Sequence, residues 1–210
     1  MADWKPGKTT RILKAVVHIT VIVAVFSVSV VLPALAGGGS ISRGTAMDLS
    51  QPDPFDAVNP VPVGQPAPDF TLPTADGESV KLSSFKGKHK VVLIFFQGSF
   101  CSVCGHQLEG IQSRISDFRK AKTEIIAISA DDMTHAMTTL GEHGLTFPVA
   151  ADPKKTVIRR YGVANVTRNG MAWPSVFIVD TRGIVRTAYA DANGNRLQAA
   201  DILLRLKSVK

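Results

Sequence analysis

The chain is poor in cysteine. Of its 210 residues only two are cysteines, Cys101 and Cys104. Two cysteines cannot form the several disulfides of a small secreted scaffold, and they are too few for a structural zinc site with four cysteine ligands. A close pair alone in a chain of this length indicates redox chemistry or a metal clip.

The chain also lacks a dense basic segment. Its formal net charge is +7, of which residues 1–36 carry +3 and the remainder +4. No window of about five to eight residues is rich in lysine and arginine, the composition typical of nucleic-acid-binding patches. A nucleic-acid partner is therefore not expected.

One long apolar run is present, over residues 15–32, and four basic residues precede it. A membrane anchor needs about 20 apolar residues, which this run nearly supplies. A cleaved secretory signal has an apolar region of about 7–15 residues and a small-x-small site, which Ala34-Leu35-Ala36 offers. Both interpretations of residues 1–36 stay open. Because the basic flank stays inside, both predict that the rest is extracytoplasmic, either periplasmic or on the outer side of the cell membrane.

Residues 37–62 are rich in Gly, Ser, Asp and Pro and show no sustained hydrophobic period. This composition is typical of a flexible linker. The sequence thus predicts a signal or anchor over 1–36, a linker over 37–62 and one folded domain over 63–210.

Within that domain, strand and helix patterns alternate. Residues 91–96 form a β-branched and aromatic run, typical of a strand buried on both faces, and 102–120 repeat apolar residues with a helical period. The predicted order is a hairpin over 69–72 and 80–82, strand 91–96, helix 102–120, strand 123–129, helix 133–142, strand 147–150, helix 154–161, strands 175–179 and 184–189, and helix 197–207. This order predicts an α/β fold.

The cysteine pair lies where a predicted strand gives way to a predicted helix. Unpaired N–H groups and the helix dipole at a helix N-terminus stabilise a thiolate, which lowers the thiol pKa and makes the sulfur nucleophilic. Cys101 is the candidate attacking thiol. Cys104, one turn further on, is the candidate resolving thiol that breaks a mixed disulfide.

Other interpretations of the pair remain. A structural disulfide would close a loop too short to stabilise the chain much. A copper site could combine Cys101 and Cys104 with His106 or His143, since soft ligands favour copper. Buried, unreactive cysteines are the last alternative.

Three segments resemble one family. GQPAPDFTLPTADGESVKLSSFKGKHKVVLIFFQGSFCSVCGHQL, FPVAADPKKTVIRRYGV and WPSVFIVDTRGIVRTAYAD are similar, in this order, to the redoxins and peroxiredoxins of the alkyl hydroperoxide reductase/thiol-specific antioxidant family. The resemblance covers about residues 63–210. It implies a thioredoxin-like fold in which helices flank a central mixed sheet.

The resemblance also has consistent departures. The peroxidatic motif of the family resembles P-x-x-x-T-x-x-C, with Cys104 at the peroxidatic position, but Gln97 and Cys101 stand where Pro and Thr are expected. Pro174 stands where a later Arg is expected. Thioredoxins carry a cysteine and a cis-proline at the last two positions. The resemblance therefore favours thiol–disulfide exchange and implies a cis Trp173–Pro174 bond facing the cysteines.

These expectations define a site and its partners. Phe100, Trp173 and Pro174 are expected to form the substrate groove, with Phe100 shielding the thiol from water. The expected partners are proteins that supply thiols or disulfides and an upstream electron donor or acceptor, with no cofactor and no metal. The alternatives are a thiol peroxidase in which Cys104 reacts with peroxide, and a copper-binding maturation chaperone that uses the cysteines plus a histidine.

Overall fold

The structure is a computed structural model, and it describes residues 58–209. The predicted membrane or signal segment, and the linker up to residue 57, lie outside these residues. In chain order the elements are β1 (Thr71–Pro73), β2 (Ser79–Lys81), a 3-10 turn (Leu82–Phe85), β3 (Lys90–Phe95), α1 (Ser102–Gln112), α2 (Ile115–Lys120), β4 (Thr123–Ser129), α3 (Met133–Glu142), β5 (Val149–Ala151), α4 (Thr156–Arg160), β6 (Ala164–Asn165), a second 3-10 turn (Val166–Arg168), β7 (Met171–Ala172), β8 (Ser175–Val179), β9 (Val185–Ala190) and α5 (Ala199–Leu206).

A five-stranded sheet organises the domain, with strand order β5-β4-β3-β8-β9. β3 pairs in parallel with β4 and antiparallel with β8, which makes the sheet mixed. The predicted α/β architecture with a central mixed sheet is confirmed. The central place of β3 also brings the loop that follows it to the middle of one sheet edge.

β3 is buried on both faces, as its continuous apolar run predicts. Val92 and Ile94 join a cluster that includes Cys104 and Leu108 of α1. Val91, Leu93 and Phe95 point to the opposite face of the sheet and join a second cluster. In that cluster the rings of Phe95, Tyr161 and Phe177 pack together. Successive side chains alternate across a strand, so each face of β3 contributes to a different core.

The predicted helix over 102–120 is wrong in one respect, because the structure divides it into α1 and α2. Arg114 leaves the helical region, with φ −111° and ψ 14°. The Ser113 hydroxyl donates to the Gly110 carbonyl (2.8 Å), a local bond that competes with helix propagation. The buried face of α1 keeps the expected spacing through Cys104, Leu108 and Ile111.

α4 packs against the face of the sheet opposite to α1. It begins at Thr156 and not at residue 154 as predicted. The buried carboxylate of Asp152 accepts the backbone N–H groups of Thr156, Val157 and Ile158 at 2.8–2.9 Å and thereby fixes the first turn. At the end of α4, burial raises the pKa of Tyr161, whose hydroxyl donates to the Pro68 carbonyl.

Residues 58–61 run beside this helix end. The N–H of Asn59 donates to the carbonyl of Gly162, and the N–H of Val61 to that of Tyr161, each at 3.1 Å. This part of the predicted linker is therefore hydrogen-bonded to the domain. The hairpin of β6 and β7 was not predicted, because strands of two residues are too short to show a period. None of the helices within residues 58–209 has the length and hydropathy required to span a bilayer.

Candidate active site

Cys101 and Cys104 form a disulfide at the junction between β3 and α1, with their Cα atoms 5.2 Å apart. Cys101 is the N-cap of α1, and its sulfur accepts the N–H of Cys104 at 3.3 Å. The site therefore sits on a helix N-terminus, where backbone N–H groups favour a thiolate once the disulfide is reduced. The predicted placement of the pair at a strand-to-helix junction is confirmed.

The two sulfurs differ in access. Cys104 is 1% exposed and packs into the core from the buried face of α1, whereas Cys101 is half-buried at the start of that helix. Phe100 and Val103 beside Cys101 are 65% and 56% exposed. Cys101 is thus the more accessible of the two cysteines, and exposed apolar residues are its near neighbours in the sequence.

The loop before Cys101 is held by Asp131. Its carboxylate accepts the N–H of Ser99 at 2.9 Å and the hydroxyl of Ser129 at 3.0 Å, which ties the loop to the end of β4. The ring of Phe100 folds back toward Gly98, so closely that a Cβ on Gly98 would lie 2.9 Å from it. Phe100 is itself mostly exposed, and its expected role as a shield of the thiol and as part of the substrate groove stays a prediction.

Arg196 was missed by the sequence interpretation. Its Nη2 donates to Cys101 Sγ at 3.4 Å and to Cys104 Sγ at 3.3 Å. Nothing in the spacing pointed to this residue, because it lies 92 residues beyond Cys104 and has no motif of its own. The packing of α5 against α1 brings it to the disulfide.

A compact loop presents Arg196. The Asp191 carboxylate accepts the N–H of Asn193 at 2.6 Å, the side-chain amide of Asn195 at 2.7 Å and the hydroxyl of Tyr189 at 3.2 Å. These hydrogen bonds lower the pKa of Asp191. On the far side of Arg196, the Leu197 carbonyl accepts the side-chain amide of Gln107 from α1.

The predicted cis bond before Pro174 is wrong: residues 58–209 contain no cis peptide bond. Pro174 is buried just before β8, a position where the missing N–H of proline is readily tolerated. Its carbonyl accepts the N–H of Asp191, at the start of the loop that carries Arg196, at 3.3 Å.

Trp173 lies half-buried at the same place. Its backbone N–H donates to the carbonyl of Val163 at 2.8 Å, while its indole N–H is buried without a hydrogen-bond partner among the described residues. Its role as a wall of the substrate groove stays a prediction.

The histidines considered as metal ligands do not join the cysteines. His106 is exposed on α1, and His143 instead pairs with Glu109 at 2.8 Å. Gly105 makes room for the His143 ring, which lies where a Cβ on residue 105 would be. Within the part of the chain that the structure describes, no three His, Cys, Asp or Glu side chains are grouped to hold a metal ion.

The fold and the paired cysteines define a thiol-based oxidoreductase with a thioredoxin-like architecture. The family model described as "AhpC/TSA family" matches residues 63–188. The chain belongs to the AhpC/TSA family, as the resemblance had suggested.

Curated relatives and solved structures agree with this membership. Peroxiredoxin-2 of Cricetulus griseus is 37% identical over 134 residues, which are 59% of this chain and 67% of the relative. A putative peroxiredoxin in the rubredoxin operon of Clostridium pasteurianum is 32% identical over 136 residues, 59% of this chain and 75% of the relative.

Two solved structures share the fold. Peroxidoxin BcpB from Mycobacterium tuberculosis has a TM-score of 0.63 at 20% identity, covering 70% of this chain and 97% of that one. Enterococcus faecalis AhpC has a TM-score of 0.64 at 22% identity, covering 70% and 90%.

Proposed function

We propose that this protein exchanges electrons with the thiols or disulfides of other proteins through the Cys101–Cys104 pair. The observation that carries the proposal is the unequal access of a bonded pair, in which an accessible Cys101 is joined to a Cys104 that is 1% exposed. In a reaction of this kind a partner sulfur bonds to the accessible cysteine, and the buried cysteine leaves or resolves.

The reaction balances with a partner dithiol as reductant. A partner thiolate attacks Cys101 Sγ, the bond to Cys104 breaks, and Cys104 leaves with the electron pair as a thiolate. The second partner thiol then loses its proton and attacks the mixed disulfide, which releases the partner as a disulfide and leaves Cys101 reduced. Two electrons and two protons pass from partner to protein, and the same steps run backwards when the protein is the reductant.

The surface around Cys101 supports a protein partner. Phe100 and Val103 are two of five large apolar residues that the described part of the chain exposes, and they lie within two residues of Cys101 in the sequence. Apolar area beside a reactive atom favours a macromolecular partner, since a small polar oxidant gains nothing from it.

A thiol peroxidase is the second candidate, and the similarity to peroxiredoxins favours it. In that case Cys104 attacks peroxide and becomes a sulfenic acid as one oxygen leaves as water. Cys101 then condenses with it, expelling a second water and forming the same disulfide. The replacements at Gln97, Cys101 and Pro174 favour disulfide exchange over this route.

Parallel rate measurements on the full chain separate the two. We expect it to accelerate the reduction of insulin disulfides by dithiothreitol while consuming hydrogen peroxide no faster than a double Cys101→Ser, Cys104→Ser variant. Peroxide turnover that depends on Cys104, with no acceleration of insulin reduction, would establish the peroxidase instead.

We further propose that the domain works outside the cytoplasm, held or delivered by residues 1–36. The support is the basic flank and the apolar run over 15–32. A reporter enzyme that is active only outside the cytoplasm, fused after Lys210, should be active, and a cytoplasm-only reporter at the same position should not. The mass of the mature chain decides between an anchor and cleavage after Ala36.

A further inference from the structure

Basic side chains are grouped at the sheet edge opposite the cysteines. β3 begins at Lys90 and ends at Phe95, shortly before Cys101, so about 17 Å of strand separates the two edges. β4 begins beside the start of β3, where the N–H of Lys90 donates to the carbonyl of Lys122 at 3.0 Å. Groups at this edge therefore lie on the far side of the sheet from the disulfide.

A recess of about 530 Å³ opens at this edge, between α2 and the end of α5. Its lining includes four cations, Lys90, Arg114, Lys120 and Lys207, and one carboxylate, Asp117. The Asp117 carboxylate lies 2.6 Å from the Arg114 guanidinium but 3.9 Å from the Lys120 ammonium group, so it mainly offsets the arginine. The Lys120 side chain is 79% exposed, and Lys207 is also exposed. The recess thus keeps an excess of positive charge that faces solvent.

A second recess, of about 230 Å³, adjoins the first, because Val209 lines both. Its cations are Arg182 and Arg186, and each of them lies within 3.3 Å of the Asp180 carboxylate, whose side chain is 1% exposed. The Arg182 side chain is 74% exposed despite this contact. We call the cations of the two recesses together the basic face, which consists of Lys90, Arg114, Lys120, Arg182, Arg186 and Lys207.

Apolar side chains lie among these cations. Leu203, Leu206 and Val209 line the larger recess, and Leu204, the next residue on α5, is 66% exposed. A surface that combines cations with apolar groups suits a lipid bilayer, because the cations attract anionic headgroups and the apolar groups enter the layer beneath them. A free phosphate ion gains nothing from the apolar part of this surface.

We propose that the basic face docks on an anionic phospholipid surface, with the edge that carries Cys101 and Cys104 directed away from the bilayer. The inference goes beyond the proposed disulfide exchange, because it assigns a second binding surface that does not take part in the chemistry of the cysteines. Each lysine or arginine near an anionic bilayer strengthens the attraction about fivefold, so a face of six cations is sufficient to orient the domain.

The predicted tether leaves the orientation to these charges. Residues 37–57 can span at most about 70 Å, whereas a domain of this size is roughly 40 Å across. An anchor over residues 15–32, as proposed above, therefore keeps the domain near a bilayer without fixing which face meets it. Coulomb attraction then selects the basic face, and salt screens that attraction.

Lysine footprinting of the full chain tests the proposal. The chain is mixed with vesicles of phosphatidylcholine alone or with about one third phosphatidylglycerol, and the acetylation rate of each lysine is measured by mass spectrometry. We expect Lys120 and Lys207 to react about threefold more slowly on the anionic vesicles, a difference that about 0.5 M salt should abolish. Lys154, exposed beyond the cysteine-side end of β5, should react equally on both.

Two double variants separate the basic face from the net charge of the protein. Lys120→Gln with Lys207→Gln should weaken docking roughly 30-fold and make the acetylation of the neighbouring Lys122 nearly independent of phosphatidylglycerol. Lys154→Gln with Arg168→Gln removes the same charge from other exposed positions and should leave Lys120 and Lys207 protected. The four replaced side chains are exposed, so both variants should fold as the original chain does.

Three results would overturn the docking surface. One is equal acetylation of Lys120 and Lys207 on the two kinds of vesicle. Another is equal slowing of Lys154, which would show that the anionic vesicles act on every lysine alike. The third is slowing of Lys120 and Lys207 by inorganic phosphate on phosphatidylcholine vesicles, which would identify a site for small anions. Insulin reduction involves no lipid, so failure of the proposed disulfide exchange would be recognised separately.

Discussion

At the residue level, the cysteines share one bond but have different surroundings. Cys101 is half-buried at the N-cap of α1, while Cys104 is 1% exposed on the buried face of that helix. Arg196 contacts both. The difference in exposure therefore assigns the attacking role to Cys101 and the resolving role to Cys104. The positive charge of Arg196 lies beside both sulfurs.

The Cys104→Ser variant should accumulate a mixed disulfide on Cys101, because the thiol that would release the partner is gone. Incubation of the reduced variant with insulin that retains its disulfide bonds, followed by mass spectrometry, measures the adduct. Cys101→Ser is the matched control and should trap little, since its remaining thiol is buried. An adduct of equal yield in Cys101→Ser would contradict the assigned roles.

Asp180 is a second residue whose charge is set by its surroundings. Burial raises its pKa, but hydrogen bonds from the Ile184 N–H, the Arg186 guanidinium and the Arg182 N–H outweigh burial, so the pKa lies below its ordinary value. Its side chain is 1% exposed.

The consequence is a pH-dependent stability. Because the folded-state pKa of Asp180 is depressed, the carboxylate contributes stability above about pH 4, and this stability is lost as the pH falls through the folded-state pKa. Asp180→Asn should lower the free energy of unfolding at pH 7 by about 1–3 kcal/mol and flatten its decline in acid.

Urea unfolding between pH 2 and pH 7 measures this effect. Asp117→Asn, which breaks a half-exposed pair with Arg114, is the control and should change stability little. If the unfolding free energy of Asp180→Asn, plotted against pH, ran parallel to that of the original chain, the explanation would be refuted.

At the level of elements, buried and exposed helix caps are not equivalent. Asp152 is 2% exposed and accepts three backbone N–H groups at the start of α4. Asp132 caps α3 from an exposed position and accepts one, from His135 at 3.0 Å. Removal of the α4 cap therefore leaves three backbone donors without this acceptor, and two of them, on Val157 and Ile158, are buried.

Asp152→Ala should cost about 2–3 kcal/mol of unfolding free energy, since buried donors lose their acceptor. Asp132→Ala should cost clearly less, because water replaces the lost bond. Urea unfolding of both variants at pH 7 compares the two losses. Equal losses of unfolding free energy in the two variants would show that burial of Asp152 does not increase the stability that its cap contributes.

At the level of the whole molecule, the sheet separates two hydrophobic cores. On each face of the sheet, chain segments that lie far apart in sequence contact one another. Residues 58–61 bond to the end of α4 on one face, and the α5 segment packs against α1 on the other. Gly162 allows the first of these contacts. Its φ is +68°, and a Cβ there would overlap the carbonyl of Asn59.

Gly162→Ala should destabilise the protein by more than the roughly 1–2 kcal/mol expected for a left-handed residue with a side chain, and it should release residues 58–61. Gly77→Ala is the control, because its φ of +87° carries the same penalty but a Cβ there meets no atom within 4 Å. Limited proteolysis should cut near residue 60 faster in Gly162→Ala alone. Equal protection in both would refute the assigned contact.

The sequence by itself determined the fold class, the buried β3 strand and the place of the cysteines, since each depends on neighbouring residues. An apolar run marks a strand, and two cysteines one helical turn apart mark a redox pair wherever a helix follows. The break after α1 and the short β6–β7 hairpin escaped because they depend on single hydrogen bonds and two-residue strands.

Only the tertiary structure decided what surrounds the sulfurs. Arg196 reaches them from 92 residues beyond Cys104, and Pro174, which follows a trans bond, accepts the N–H of Asp191 in the loop that carries this arginine. Such contacts are set by the packing of α5 on α1 and the shape of one loop. No local pattern encodes these, because the free energy that selects them comes from burial shared among distant segments.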